Sequence, residues 1–123
     1  MSYVEFNSLL GKTLKAVYQT DNDVITFATE DGEEYQLYYE PDCCASCVVE
    51  DVVGDYNDLV GSPIIRAEEN SSNENPEGVP VSDYQESFTW TFYRIGTAKG
   101  TVVIRWYGSS NGYYSESVSF RKV

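Results

Sequence analysis

The sequence contains no histidine. That absence removes Ser–His–Asp and Cys–His catalysis in their usual form, since both need an imidazole as general base. It also removes the Cys–His class of zinc site. Cysteine is scarce, at three residues, Cys43, Cys44 and Cys47. An odd number with two adjacent fits reduced thiols better than a disulfide framework. No apolar run approaches the ~20 residues of a membrane-spanning helix. The N-terminal MSYVEFNSLLG has no basic region followed by an apolar stretch. A cytoplasmic protein with no membrane partner is the expectation.

Positive charge is the other shortage. Eight basic residues face twenty acidic ones, for a formal net charge of -12. Residues 16–65 contain no lysine or arginine at all. Of the twenty acids, Glu116 alone falls after residue 86, a region that also holds Arg94, Lys99, Arg105, Arg121 and Lys122. A field of this sign repels phosphate backbones within about a Debye length. Direct nucleic-acid binding is disfavoured, and a basic protein partner is the converse expectation. A merely solubilising surface explains the same charge.

What the chain does have is aromatic bulk, with eleven Tyr, five Phe and two Trp in 123 residues. That argues against disorder and gives one domain, residues 1–123, enough to bury a core. A short helix is expected over residues 2–10, capped by Ser2 and stopped by Gly11. Strands are expected over 12–19, 24–29 and 34–39. A DND turn and an Asp31-Gly32 turn join them into an antiparallel meander. The valines of residues 47–53 favour another strand. Asp55 caps a helical turn that Gly61 closes. Residues 63–68 read as a strand and 69–83 as a polar loop.

The C-terminal part alternates most clearly. Phe88, Trp90 and Phe92 share one face of a strand over 87–95. Val102, Ile104 and Trp106 share one face of a strand over 101–107. Asn111-Gly112 signals a hairpin and returns the chain as a strand over 113–123, with Val118 and Phe120 inward. The expected fold class is α+β: a single β-rich domain with a mostly antiparallel twisted sheet of six to eight strands and one or two short helices.

Three constellations invite chemistry. In CCxxC, Cys44 and Cys47 have the spacing of a zinc or redox pair, with Asp42 or Glu40 as an oxygen ligand. No second CxxC completes the site, and carboxylates nearby would raise a thiol pKa. Buried structural cysteines are the plainer reading, and no cofactor or metal is expected. The acids Asp42, Glu50, Asp51, Asp55 and Asp58 could form an acidic protein-interaction surface or a divalent-ion site, although GDYND is too short for a calcium loop. Tyr93, Tyr107, Tyr113 and Tyr114, with Arg94 and Arg105, could form an aromatic patch of the kind found at interfaces. Cross-strand packing explains them equally.

The runs DCCASCVVEDVVGDYNDLVGSPIIRAEE and TFYRIGTAKGTVVIRWYGSSNGYYSESV together resemble a family of small uncharacterised phage and prophage proteins. The matching positions are Asp42–Cys44, Gly54–Gly61, Pro63–Glu69, Arg105–Gly108 and Asn111–Tyr114, and Cys47 lies outside the shared pattern. The resemblance brings no activity. It implies a phage setting in the host cytoplasm; Cys43, Cys44, Gly54, Gly61, Asn111 and Gly112 are expected from their own chemistry to be structural positions. The leading expectation is a non-enzymatic accessory protein that binds a host or phage protein through its acidic surface, in one version as a DNA mimic. A small metal-dependent hydrolase and a structural virion component are the alternatives.

Overall fold

The computed structural model describes residues 2–21, 23–39, 45–72, 87–110 and 118–123. Its strands are β1 (Ser2–Tyr3), β2 (Leu14–Thr20), β3 (Val24–Thr29), β4 (Glu34–Tyr38), β5 (Ala45–Val53), β6 (Arg66–Ser72), β7 (Ser87–Thr97), β8 (Gly100–Ser110) and β9 (Ser119–Lys122). The ladders pair antiparallel throughout. They form two sheets rather than the single sheet expected. One is five-stranded, in the order β1-β9-β4-β3-β2, and the other four-stranded, in the order β5-β8-β7-β6.

The meander β2–β3–β4 forms as its pattern predicts. β3, VITFAT, is the middle strand, and all of it except Val24 is buried. Its β-branched and aromatic residues suit a strand covered on both sides. The turn after it places Gly32 at φ +93°, a conformation that favours glycine. Thr29 fastens this turn, its hydroxyl oxygen accepting from the Glu33 N–H at 2.9 Å.

The expected helices shrink to 3-10 turns, and the described residues contain no α-helix, so the fold is β-rich rather than α+β. The first turn spans Phe6–Leu9 and the second Tyr56–Leu59. Glu5, not Ser2, stands at the N-cap position of the first turn, and Ser2 pairs with Lys122 in β1. Phe6 and Leu9 still point inward as the helical spacing required. The first four residues of the expected polar loop are strand instead. Residues 69–72 continue β6, paired with Tyr93, Phe92, Thr91 and Trp90; residues 73–83 lie outside the described ones.

Two further expectations are corrected. The described part of the expected C-terminal strand, Ser119–Lys122, does not pair with β8 as a hairpin arm, and residues 111–117 lie outside the described ones. β9 crosses to the other sheet and inserts between β1 and β4. β8 is already flanked by β5 and β7, so it has no edge left to offer. The second correction concerns β7. The bulkier stripe of Trp90 and Phe92 faces away from the shared core, and Tyr93 and Ile95 face into it. The register decides this: Tyr93 sits opposite Ile104, and Trp90 sits opposite Tyr107. Partners across an antiparallel ladder share a face.

One core joins the two sheets. It takes Leu14, Ile25, Phe27, Tyr35, Leu37 and Phe120 from the first, and Cys47, Ala67, Tyr93, Ile95, Val102, Ile104 and Trp106 from the second. Phe6 lies between them. Its ring centroid is 6.4 Å from Phe27 and 5.3 Å from Phe120 in one sheet, and 4.8 Å from Tyr93 in the other. All three contacts are edge-on, the favoured geometry for aromatic pairs. Phe6→Ala is therefore expected to cost about 3–5 kcal/mol. Phe92→Ala, on the half-exposed outward face, should cost about 1 kcal/mol. Urea unfolding of both variants checks the assignment of faces, and comparable losses would contradict it.

Candidate functional site

The acids singled out in the sequence fall on β5 and on the connection that follows it. β5 lies at the edge of its sheet and pairs with β8. Its register shifts between Val49 and Asp51. This bulge leaves Glu50 without its own opposite residue and sets Glu50 and Asp51 together against Arg105 on β8. The Arg105 Nε donates to Glu50 Oε2 at 2.5 Å, and its guanidinium also approaches Asp51 Oδ2 at 3.9 Å. The same guanidinium lies 5.1 Å from the Trp90 ring. Arg105 is thus held between two carboxylates and an aromatic face. Sequence reasoning named the acids and, separately, Arg105, but missed their pairing, since it depends on a register that only the folded sheet supplies.

Asp55 caps the second 3-10 turn, its carboxylate accepting from the Asn57 N–H at 2.9 Å. An N-terminal carboxylate satisfies donors that have no partner within the turn. The Asp58 carbonyl accepts from the Thr97 hydroxyl, and the Lys99 ammonium donates to the Val60 carbonyl at 2.6 Å. Both donors belong to the tip of the β7–β8 hairpin, where Thr97 pairs with Gly100. The hairpin tip therefore grips the connection after β5.

The two glycines that bracket this segment have distinct tasks. Gly54 adopts φ +111°, and a Cβ there would lie 2.8 Å from the Thr101 carbonyl oxygen. Gly61 adopts φ +86°, and its N–H donates to the Leu14 carbonyl at 2.9 Å. Beyond it, the Ile64 N–H bonds the Lys12 carbonyl at 2.8 Å, and the Ile65 N–H bonds the Gly96 carbonyl at 2.9 Å. Residues 54–65 thereby tie the start of β2 in one sheet to the end of β7 in the other.

The aromatic patch does not assemble as expected. Tyr93 is buried in the core, 1 % exposed, and its hydroxyl donates to Glu69 at 3.1 Å. Burial among apolar neighbours, together with the Glu69 carboxylate, pushes the Tyr93 phenol far above its ordinary range. Tyr107 lies on the opposite face of the sheet, its ring centroid 4.5 Å from Trp90. Residues an odd number of positions from a shared register point alternate in facing, so the two tyrosines diverge. Tyr113 and Tyr114 lie outside the described residues, as do Asp42, Cys43, Cys44, Asn111 and Gly112. Cys47 is buried and belongs to the core. Among the described residues, no group of three or more His, Cys, Asp or Glu is placed to hold a metal ion.

The scarce bases are largely committed. Lys12 pairs with Glu33 at 2.5 Å, and Lys122 pairs with the same carboxylate. Arg66 pairs with Glu68 at 3.0 Å. Arg121 donates twice to the Gln36 amide oxygen, at 3.0 and 2.7 Å, over the Tyr38 ring. Arg94 lies over Phe92. Exposed acids including Asp21, Glu30, Asp31 and Asp55 make no ion pair among the described residues.

Residues 7–120 match the family described as Domain of unknown function (DUF7448). The chain belongs to that family. The matched span takes in β2 to β8, the start of β9 and the whole of residues 54–65. No curated protein and no solved structure matches the chain. No helix among the described residues is long and apolar enough to cross a membrane.

Two predictions follow from this geometry. Gly54→Ala should destabilise the protein by about 1–3 kcal/mol, the usual cost of forcing a side chain into a sparsely populated backbone region. Its urea midpoint tests this, and an unchanged midpoint would refute it. The second concerns acid. Hydrogen bonds from Lys12 and then Lys122 lower the Glu33 pKa from 4.5 to about 2. Because the folded value is depressed, the contribution of Glu33 is fully present above pH 4.5 and is lost as pH falls through about 2. Glu33→Gln should abolish that part of the acid sensitivity. Wild type and variant should therefore converge in stability across this window, and parallel pH profiles would count against the pairing.

Proposed function

We propose that this chain is a non-enzymatic accessory protein of phage or prophage origin. It acts in the host cytoplasm by binding a host or phage protein through its acidic surface. The observation that carries this reading is the disposition of charge. Seven of the eight bases, Lys12, Arg66, Arg94, Lys99, Arg105, Arg121 and Lys122, are engaged by carboxylates, carbonyls, an amide or aromatic rings within the molecule. Among the described residues, acids such as Asp21, Glu30, Asp31 and Asp55 are exposed and make no ion pair, which favours association with a basic surface and disfavours nucleic acid.

The positions of the acids bear on the narrower idea of DNA mimicry. Asp21 and Asp23 flank one end of β3, and Glu30 and Asp31 follow its other end. Glu50 and Asp51 lie on one edge strand of the second sheet, and Glu68 and Glu69 on the other. This spread suits a basic protein surface better than the regular spacing of a phosphate backbone. A metal-dependent hydrolase finds less support. Glu50 and Asp51 are paired with Arg105, Asp55 caps a turn, and the Asp58 backbone is fixed to the β7–β8 hairpin.

Affinity capture from host lysate at low and high salt tests the proposal. The expected outcome is a stoichiometric basic protein that is retained at low salt and released at high salt. Capture of no partner, or of one indifferent to salt, would contradict it.

A further inference from the structure

We infer that Asp31-Gly32, in the turn between β3 and β4, is a site of backbone isomerisation to isoaspartate, and that Thr29 restrains it. Asp31 and Gly32 are both exposed. Gly32 has no side chain to crowd its own backbone nitrogen. That nitrogen can attack the Asp31 side-chain carboxyl carbon, giving up its proton. The new C–N bond closes a five-membered imide as one carboxyl oxygen leaves as water. A second water then adds to either imide carbonyl and breaks that carbonyl's bond to nitrogen. Opening at the side-chain carbonyl restores aspartate. Opening at the backbone carbonyl leaves the chain running through the side-chain carbon. Water is the only co-reactant, and an open cavity of about 390 Å³ beside Lys12, Glu30 and Asp31 gives it access to the turn.

Thr29 holds both reacting groups. It is the last residue of β3 and is buried. Its hydroxyl donates to the Asp31 carboxylate, and its carbonyl accepts from the Gly32 N–H at 3.2 Å. Attack requires the carboxyl to turn onto the nitrogen and the nitrogen to release its proton, so both bonds must open. Thr29 is itself fixed. Its own N–H donates to the Glu33 carbonyl at 2.8 Å, and its hydroxyl oxygen accepts from the Glu33 N–H at 2.9 Å. The product carries one more backbone atom inside this closed turn. It would displace Glu33, whose carboxylate pairs with Lys12 and Lys122. The fold thus opposes a reaction that an exposed Asp-Gly pair favours.

The test incubates the full chain at neutral pH and follows isoaspartate at residue 31 by fragmentation mass spectrometry that distinguishes the two linkages. Wild type is compared folded in buffer and unfolded in urea. Thr29→Val, Thr29→Ser and Phe6→Ala are compared in buffer where circular dichroism shows each of them folded. The expected result is slow conversion in folded wild type. Conversion should be about tenfold faster in urea and in folded Thr29→Val, the effect of losing a hydrogen bond to a charged group. Thr29→Ser keeps the hydroxyl and should keep the wild-type rate. Phe6→Ala weakens the core away from the turn and should keep it too. No isoaspartate at residue 31 even in urea would overturn the site. Equal rates for folded and unfolded wild type, or for wild type and Thr29→Val, would overturn the restraint. An equal acceleration by Phe6→Ala and Thr29→Val would show that Thr29 acts only through global stability, and would overturn its role in the turn.

Discussion

Two sheets that pack face to face need something to fix their relative position, since apolar packing alone is non-directional. Here directional backbone hydrogen bonds do so. Residues 54–65 accept their course from β5 and then bond the first sheet through Leu14 and Lys12, and the second through Gly96. Leu59, in the middle of this segment, is fully buried in the common core. The connection is therefore fastened by polar bonds at its end and by apolar burial at its centre. Phe6 answers it from another part of the chain, placing one ring among aromatic residues of both sheets.

This junction explains much of what first looked like a functional motif. The Gly-Asp-x-x-Asp-Leu-x-Gly run has a structural reason at nearly every named position. Gly54 needs positive φ and close approach to Thr101, Asp55 caps the turn, Leu59 fills the core and Gly61 opens the bond to Leu14. The Asp58 carboxylate lies against Gly100, where a Cβ would come within 2.9 Å. A segment so constrained by its own fold has few side chains free for chemistry. The exposed acids among the described residues lie on turns and edge strands rather than in a defined constellation.

Legibility in the sequence followed the range of the interactions. The meander was readable because its alternation and its turn residues are local. Ile25 and Phe27 share the core face of β3, and Asp31-Gly32 marks the turn. The Asp55 cap was readable for the same reason. The division into two sheets was not, because it depends on β9 travelling to β4 rather than to β8, and no local pattern distinguishes the two destinations. The facing of β7 was misread because Trp90 and Phe92 outweigh Tyr93 and Ile95 in bulk. Arg94 between Tyr93 and Ile95 was the available signal, since a charged residue on the even positions marks that face as the outward one. At the candidate site the acids were legible as composition. Their pairing with Arg105 was not, because it joins residues far apart in the chain through a bulge in β5.

The bulge also links the architecture to the charge. A regular β5 would place Glu50 on the face opposite Asp51, since side chains alternate along a strand. The extra residue instead brings both carboxylates to Arg105, whose guanidinium is also held over Trp90. Bulges and edge charges are common devices for keeping an open strand from pairing indiscriminately. In this fold both lie on β5, an edge strand of the second sheet.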